Sequence, residues 1–225
     1  QLVHDIGMQN LPVVFAVDRA GLVGNDGETH QGAFDLSFLS TIPNMTVMSP
    51  KHKWELADML RYAIEYDGPI ALRYPRGNAY DEFPEHRAPV VYGKSEMIFE
   101  GKEIAILSVG HMFEEAVKVS ANLNDLVFDH SLVNARFVKP IDEEMIDELV
   151  KEHKLIVTIE ENVQTGGYGE KVLEYVNRKG YDAKVLILAL PDQYIEHGNI
   201  DVLRKETGLD NQSMTERIIK AYKEL

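Results

Sequence analysis

Short apolar, β-rich runs alternate with amphipathic segments along this chain, a pattern that restricts it to an α/β fold whose strands are joined through helices. In the first part the spacing predicts strands over 13–17, 45–48 and 70–74, with helices over 33–39 and 53–66. Leu56, Met59, Leu60, Ala63 and Ile64 share one helical face, which assigns them to a core and Met59 to packing, not ligation. A second set of strands is expected over 104–109, 128–133, 155–159 and 185–189. Helices are expected over 113–122, 143–151, 170–178 and 212–223, the last capped by Asn211 or Ser213. Between the two sets, residues 75–89 lose their apolar periodicity and accumulate Pro, Gly, Asp, Glu and His. The chain therefore reads as a partial first domain over 1–77, a linker over 78–93 and a second domain over 94–225. The expected architecture is two three-layer α/β domains. No internal repeat or low-complexity tract is present.

Composition narrows the function classes. A net charge of -14 and a pI near 5.0 argue against sequence-independent binding to nucleic acid or anionic lipid, since both need a cationic surface. The absence of cysteine removes disulfides, thiolate nucleophiles and Cys-based metal sites, and fits a reducing, cytoplasmic compartment. No apolar run reaches the length of a membrane span, and no signal peptide is visible. The first residues, Gln1 to Met8, lack an initiating Met and open with helix-like spacing of Leu2 and Ile6, so further polypeptide is expected upstream.

One stretch reads as a site. Residues 18–32 follow an apolar run and carry Arg19, Asp26, Glu28 and His30 among four glycines. Loops leaving the C-terminal end of a buried strand are where open α/β sheets place their chemistry. Asn25-Asp26-Gly27 is also a turn signal, but a plain strand-to-helix connection takes a handful of residues, and here the apolar pattern resumes only at Ala33. Arg73 and Arg76 end the third expected strand. In a parallel sheet that end lies beside the loop after the first strand, so Arg19 and Arg76 are expected to converge. Two guanidinium forks at one edge suit a phosphate, although the same spacing serves equally an ion pair between Arg76 and one of the many acids.

Other polar clusters read less sharply. Glu160 to Gly169 follows a strand and opens a helix, yet lacks the spacing of a dinucleotide or Walker motif. Adjacent residues on an extended chain point opposite ways, so Glu160 and Glu161 are assigned to capping or interface roles, not to one acid/base pair. His197, in a Pro191 to Gly198 loop, reads as a hydrogen-bonded loop residue more readily than as a catalyst. His4, His52, His86, His111, His130 and His153 sit in unrelated contexts without metal-ligand spacing, and no metal site is assigned.

Residues 18–32, with Ile42-Pro43-Asn44-Met45, residues 68–77, Glu160-Glu161-Asn162 and Pro191-Asp192, resemble the 1-deoxy-D-xylulose-5-phosphate synthase family. The resemblance runs in order over essentially the whole chain. That family uses thiamine diphosphate and is similar in build to transketolase, with diphosphate-binding, pyrimidine-binding and C-terminal domains. The resemblance implies that this chain comprises the latter part of the pyrimidine-binding domain and a complete C-terminal domain. It also implies that the magnesium and diphosphate motif, the glutamate that activates the cofactor and the aromatic ring on the pyrimidine all lie upstream. No cofactor-binding or metal-binding residue is thus expected here. Thiamine diphosphate and magnesium are expected of a full-length homodimer, and little activity of this part alone.

By the same resemblance, Arg19 and Arg76 hold the phosphate of D-glyceraldehyde 3-phosphate, His30 is the loop histidine near the reacting carbons that transfers a proton or orients the acceptor, and Asp26 is the substrate-binding loop acid beside it. The implied reaction decarboxylates pyruvate and joins the two-carbon unit to that aldehyde, opening the non-mevalonate route to isoprenoids. Transketolases share the element from Gly24 to Gln31, but their lead-in usually differs from Asp18-Arg19-Ala20-Gly21, and their donor is a ketose phosphate. A non-catalytic α/β dimerisation or regulatory module is the rival from another class.

Overall fold

The computed structural model describes all 225 residues. Strands β1 (Val14–Val17), β2 (Thr46–Met48) and β3 (Ile70–Arg73) form a parallel sheet in the order β1-β3-β2. Helix α1 (Asp35–Ser40) connects β1 to β2, and α2 (Lys53–Glu65) connects β2 to β3. The next strands, β4 (Glu96–Phe99), β5 (Glu103–Ser108) and β6 (His130–Asn134), belong to a second sheet. It is completed by β8 (His153–Val163) and β9 (Lys184–Leu190), in the order β4-β6-β5-β8-β9. All its pairs are parallel except β4 with β6 at the edge. One short strand, β7 (Phe137–Lys139), leaves this part of the chain and pairs antiparallel with β2 of the first sheet.

Helices α3 (Phe113–Asp125), α6 (Ile200–Thr207) and α7 (Asn211–Lys223) cover one face of the second sheet around Ile106, Phe113, Val157 and Ile218. Helices α4 (Glu143–Glu152) and α5 (Tyr168–Lys179) cover the other face. There a single core runs from Leu36 and Leu39 of α1 and Val47 of β2 into Leu107 of β5, Ile156 of β8 and Tyr175 of α5. Burial of that shared apolar surface is what holds the two sheets together. No helix is long and apolar enough to cross a membrane.

Several expectations are corrected. Met59 and Ala63 are buried, but Leu60 and Ile64 are 43% and 70% exposed, because α2 turns its Glu55 side inward instead. The cap of α7 is Asp210, whose carboxylate accepts from Ser213 N–H at 3.1 Å; Asn211 and Ser213 lie inside the helix. Strands β4 and β7 and helix α6 were not expected, being too short to show a periodicity. Tyr80 and Phe83, in the stretch without helix or strand after β3, pack their rings against Phe113 at 6.2 and 5.8 Å.

Candidate active site

The site is a consequence of strand register. Val17 of β1 stands opposite Arg73 of β3, so both chains leave the sheet at the same edge. Ala20 N–H donates to Tyr74 O at 3.0 Å and keeps them together for a further turn. Loop 18–32 is closed at its base by a pair of hydrogen bonds between Gly21 and Gly32, 2.9 and 2.7 Å long. Gly32 permits this approach, because a Cβ there would stand 2.0 Å from Arg19 O. Arg19 itself adopts a left-handed backbone with φ 59°, uncommon for a residue with a side chain.

Within that frame Arg19, Asp26 and Arg76 come together. Arg76 Nη1 pairs with Asp26 Oδ2, and Arg19 Nε lies 3.8 Å from the same oxygen. Arg19 also pairs with Asp18 at 2.6 Å. The hydrogen bond and charge of Arg76, aided by Arg19 and His30, hold the Asp26 carboxyl below its ordinary range. Two guanidinium groups thus meet on one carboxylate oxygen, the arrangement that would grip a phosphate oxygen. His30 is exposed in the same loop, its Nδ1 2.9 Å from Thr29 Oγ1, which leaves Nε2 without a protein partner. Both readings of Arg76 meet here, since the acid it pairs with sits in the loop that carries Arg19.

Arg73, the other guanidinium at that strand end, is wholly buried and plays a different part. Its Nη2 donates to Gly32 O at 2.7 Å and Glu161 O at 2.9 Å, and its Nε lies 3.4 Å from Asp35 Oδ2. It links the loop base to β8. In the second sheet, Ser108 at the end of β5 stands opposite Ile159 of β8, which brings His111 beside Glu161. The Glu161 carboxylate is buried and accepts three donors: Leu22 N–H at 2.9 Å, His111 Nε2 at 2.7 Å and Arg204 Nε at 2.6 Å. Burial pushes Glu161 up, but His111 and Arg204 outweigh it and hold the carboxyl far below its usual range. Burial also pushes His111 down despite Glu161, so near pH 7 its ring is neutral, donates from Nε2 and leaves Nδ1 as a bare lone pair.

Glu160 points the opposite way, as an extended chain requires. It accepts from Tyr168 and Gly169 N–H, both at 2.8 Å, at the start of α5, and burial pushes its carboxyl up to about 7 against the pull of those bonds. Glu160 is thus the cap and Glu161 the interface residue. His197 is exposed beside Gly27, and the structure records no hydrogen bond to its ring.

A cavity of about 330 Å³ opens between the two sheets. Its wall includes Arg76, Leu22, His111, Glu161 and Arg204, while Arg19, Asp26 and His30 stand outside it on the loop. From sequence, Arg73 is expected at a strand end and His111 among the histidines without metal-ligand spacing, neither with a part in the site, and Arg204 is absent from those expectations. Only Arg73 left a usable signal, as the last residue of a continuous apolar strand.

Residues 93–214, more than half of the chain, match the family described as transketolase, C-terminal domain, and residues 1–81 match transketolase, pyrimidine binding domain. Among curated relatives, 1-deoxy-D-xylulose-5-phosphate synthase of Lachnoclostridium phytofermentans is 48% identical over 98% of this chain and 35% of its own length. The enzyme of that name from Aquifex aeolicus is 44% identical over 99% of this chain and 36% of its own. The chain therefore spans about a third of the length of these relatives. A solved structure described as a split gene transketolase, an inactive beta4 tetramer, superimposes with a TM-score of 0.88 at 25% identity, covering 99% of this chain and 70% of that one. Transketolase from Campylobacter jejuni shares the fold, with a TM-score of 0.72 at 17% identity over 92% of this chain and 31% of its own. By its own sequence match, this chain belongs to the transketolase C-terminal domain family, and residues 1–81 before it match the transketolase pyrimidine binding domain.

Proposed function

We propose that this chain is the acceptor-binding part of a 1-deoxy-D-xylulose-5-phosphate synthase, a thiamine-diphosphate transferase that decarboxylates pyruvate and joins the two-carbon unit to D-glyceraldehyde 3-phosphate. The observation that carries the reading is the meeting of Arg19 and Arg76 on one oxygen of Asp26. The names of the relatives support it.

In this reading the acceptor phosphate takes the place of the Asp26 carboxylate between the two guanidinium groups. A dianionic phosphate offers more oxygens and more charge than the single carboxylate, so the exchange is favourable. Asp26, released, accepts a hydroxyl hydrogen bond from the acceptor. His30, with its free Nε2, hands a proton to the aldehyde oxygen as the new carbon–carbon bond forms.

Thiamine diphosphate supplies the carbon–carbon chemistry when bound. This chain gathers no group of three or more His, Cys, Asp or Glu side chains able to hold a metal. Its buried acids Glu55, Glu96, Glu115, Asp142, Glu160 and Glu161 are engaged internally. Its residues therefore do not fit the magnesium and diphosphate end of that cofactor, which falls to the rest of the holoenzyme. A cytoplasmic homodimer is the assembly in which we place it.

The test is release of labelled CO2 from pyruvate by the holoenzyme that contains this chain, with thiamine diphosphate and magnesium, with and without D-glyceraldehyde 3-phosphate. Release that rises with the aldehyde is expected. Turnover of a ketose phosphate in its place would assign the chain to transketolase, and no turnover of either would leave the binding-module reading.

A further inference from the structure

Loop 18–32 has little structure of its own, two single turns of 3-10 helix over Gly24–Asp26 and Glu28–His30. Its geometry is therefore imposed from outside. Gln31 holds Val23 N–H at 2.7 Å, and Gly198 N–H reaches Gly24 O at 3.3 Å, but these are neutral contacts. The one buried carboxylate on the loop is that of Glu161, which belongs to the other sheet. Its side chain receives Leu22 N–H, and its carbonyl receives Arg73, which in turn holds Gly32 O. One residue thus grips the loop near its start and, through Arg73, at its end.

The fit is close. Gly21 has φ +71°, and a Cβ there would stand 2.1 Å from Glu161 Oε2. Glu161 is in turn held from two further sides, by His111 from the end of β5 and by Arg204 from α6. Arg76 follows the end of β3 by three residues, whereas Arg19 and Asp26 ride on the loop. Any slippage of the loop therefore separates Arg19 and Asp26 from Arg76.

We infer that Glu161, oriented by His111 and Arg204, is a positioning residue that sets the spacing of Arg19 and Arg76, so that the second sheet tunes affinity for the phosphorylated acceptor. The inference rests on the function proposed above. Glutamine at position 161 keeps the size but offers one acceptor oxygen to three donors, and its NH2 faces another donor. An alanine at 111 removes one of the two side chains that aim the carboxylate, while glutamine there restores an N–H.

The experiment measures KM for D-glyceraldehyde 3-phosphate and for pyruvate in the holoenzyme carrying Glu161→Gln, His111→Ala or His111→Gln. It is paired with amide hydrogen exchange on this chain. We expect Glu161→Gln to raise the acceptor KM by about tenfold, the loss of one charge-assisted hydrogen bond, with the pyruvate KM moving less than about twofold. His111→Ala should move it the same way by about threefold, and His111→Gln should recover most of that. Amides of 20–31 should exchange faster in Glu161→Gln while those of β5 do not change. Equal shifts in both KM values, or loop amides that exchange as before, overturn the inference. Should Glu161→Gln fail to fold, His111→Ala and its rescue decide the matter alone. A wild-type holoenzyme that turns over neither substrate defeats the functional reading instead, and the exchange data then judge the positioning claim by themselves.

Discussion

Two sets of ion pairs in this chain, one buried and one at the surface, behave as opposites. Under α2, Lys51 reaches Glu55 at 3.1 Å and Glu96 at 2.5 Å, while Arg136 reaches Glu55 at 2.7 Å and Glu96 at 3.3 Å. Asn134 adds two bonds to Glu55, and all five side chains are buried. On loop 18–32, Arg19 and Arg76 meet Asp26 with side chains 44%, 56% and 26% exposed. Two cations and two anions balance in the first set, and removing one leaves a charge stranded away from water. In the second set water is on hand to replace any partner, so the pairs add little to stability and exchange cheaply for a ligand. The buried set fixes where β2, β4 and β6 lie relative to one another. The exposed set is free to bind.

The contrast breaks first at Arg136. Replacing it with Met leaves Lys51 alone against Glu55 and Glu96, one negative charge in excess, and we expect a loss of about 3–5 kcal/mol, read from the denaturant midpoint at unchanged slope. A smaller but still clear effect is expected of Gly21→Ala, which forces a side chain into positive φ and onto the Glu161 carboxylate. A loss of about 1–3 kcal/mol should accompany a raised acceptor KM. An unchanged midpoint would mean that the loop is not held as tightly as the contacts suggest.

The adjacent glutamates sharpen the comparison through pH. Glu161 is held below its ordinary value of 4.5, so its contribution to stability is present above about 4.5 and is lost as pH falls below it. Glu160 is pushed up from 4.5 to about 7, so its contribution is full below 4.5 and is lost as pH rises towards 7. Thermal unfolding followed from about pH 2 to pH 8 should therefore lose part of its neutral-side decline in Glu160→Gln and part of its acid-side decline in Glu161→Gln. Parallel profiles for the two variants would contradict the opposed environments. The smallest effect on stability belongs to Arg19→Gln and Arg76→Gln, whose denaturant midpoints should match that of wild type.

Much of this was legible in the residues. Strands β2, β3, β5, β6 and β8 show as apolar runs because they are buried in a sheet, β1 and β9 show likewise though only partly buried, and parallel order is enough to bring Arg19 towards Arg76. The opposite facing of Glu160 and Glu161 follows from extended geometry alone. What escaped depends on tertiary partners. Leu60 and Ile64 share the apolar stripe of α2, yet the burial of Glu55 beside Lys51 and Arg136 rotates that stripe partly into solvent. Nothing local marks β7, which exists because β2 offers it an open edge. His111 and Arg204 lie 50 and 43 residues from Glu161, and only the register of β5 with β8 and the docking of α6 bring them together.

The central claim is that the exposed arginines bind the acceptor phosphate and do not support the fold. Its most direct test is the pair of KM values for D-glyceraldehyde 3-phosphate and pyruvate in a holoenzyme carrying Arg19→Gln and Arg76→Gln together, with the melting temperature recorded alongside. The account predicts a rise of at least about tenfold in the acceptor KM, a pyruvate KM within about twofold of wild type, and an unchanged melting temperature. Equal rises for both substrates, or a fall in melting temperature that accounts for the loss, would contradict it.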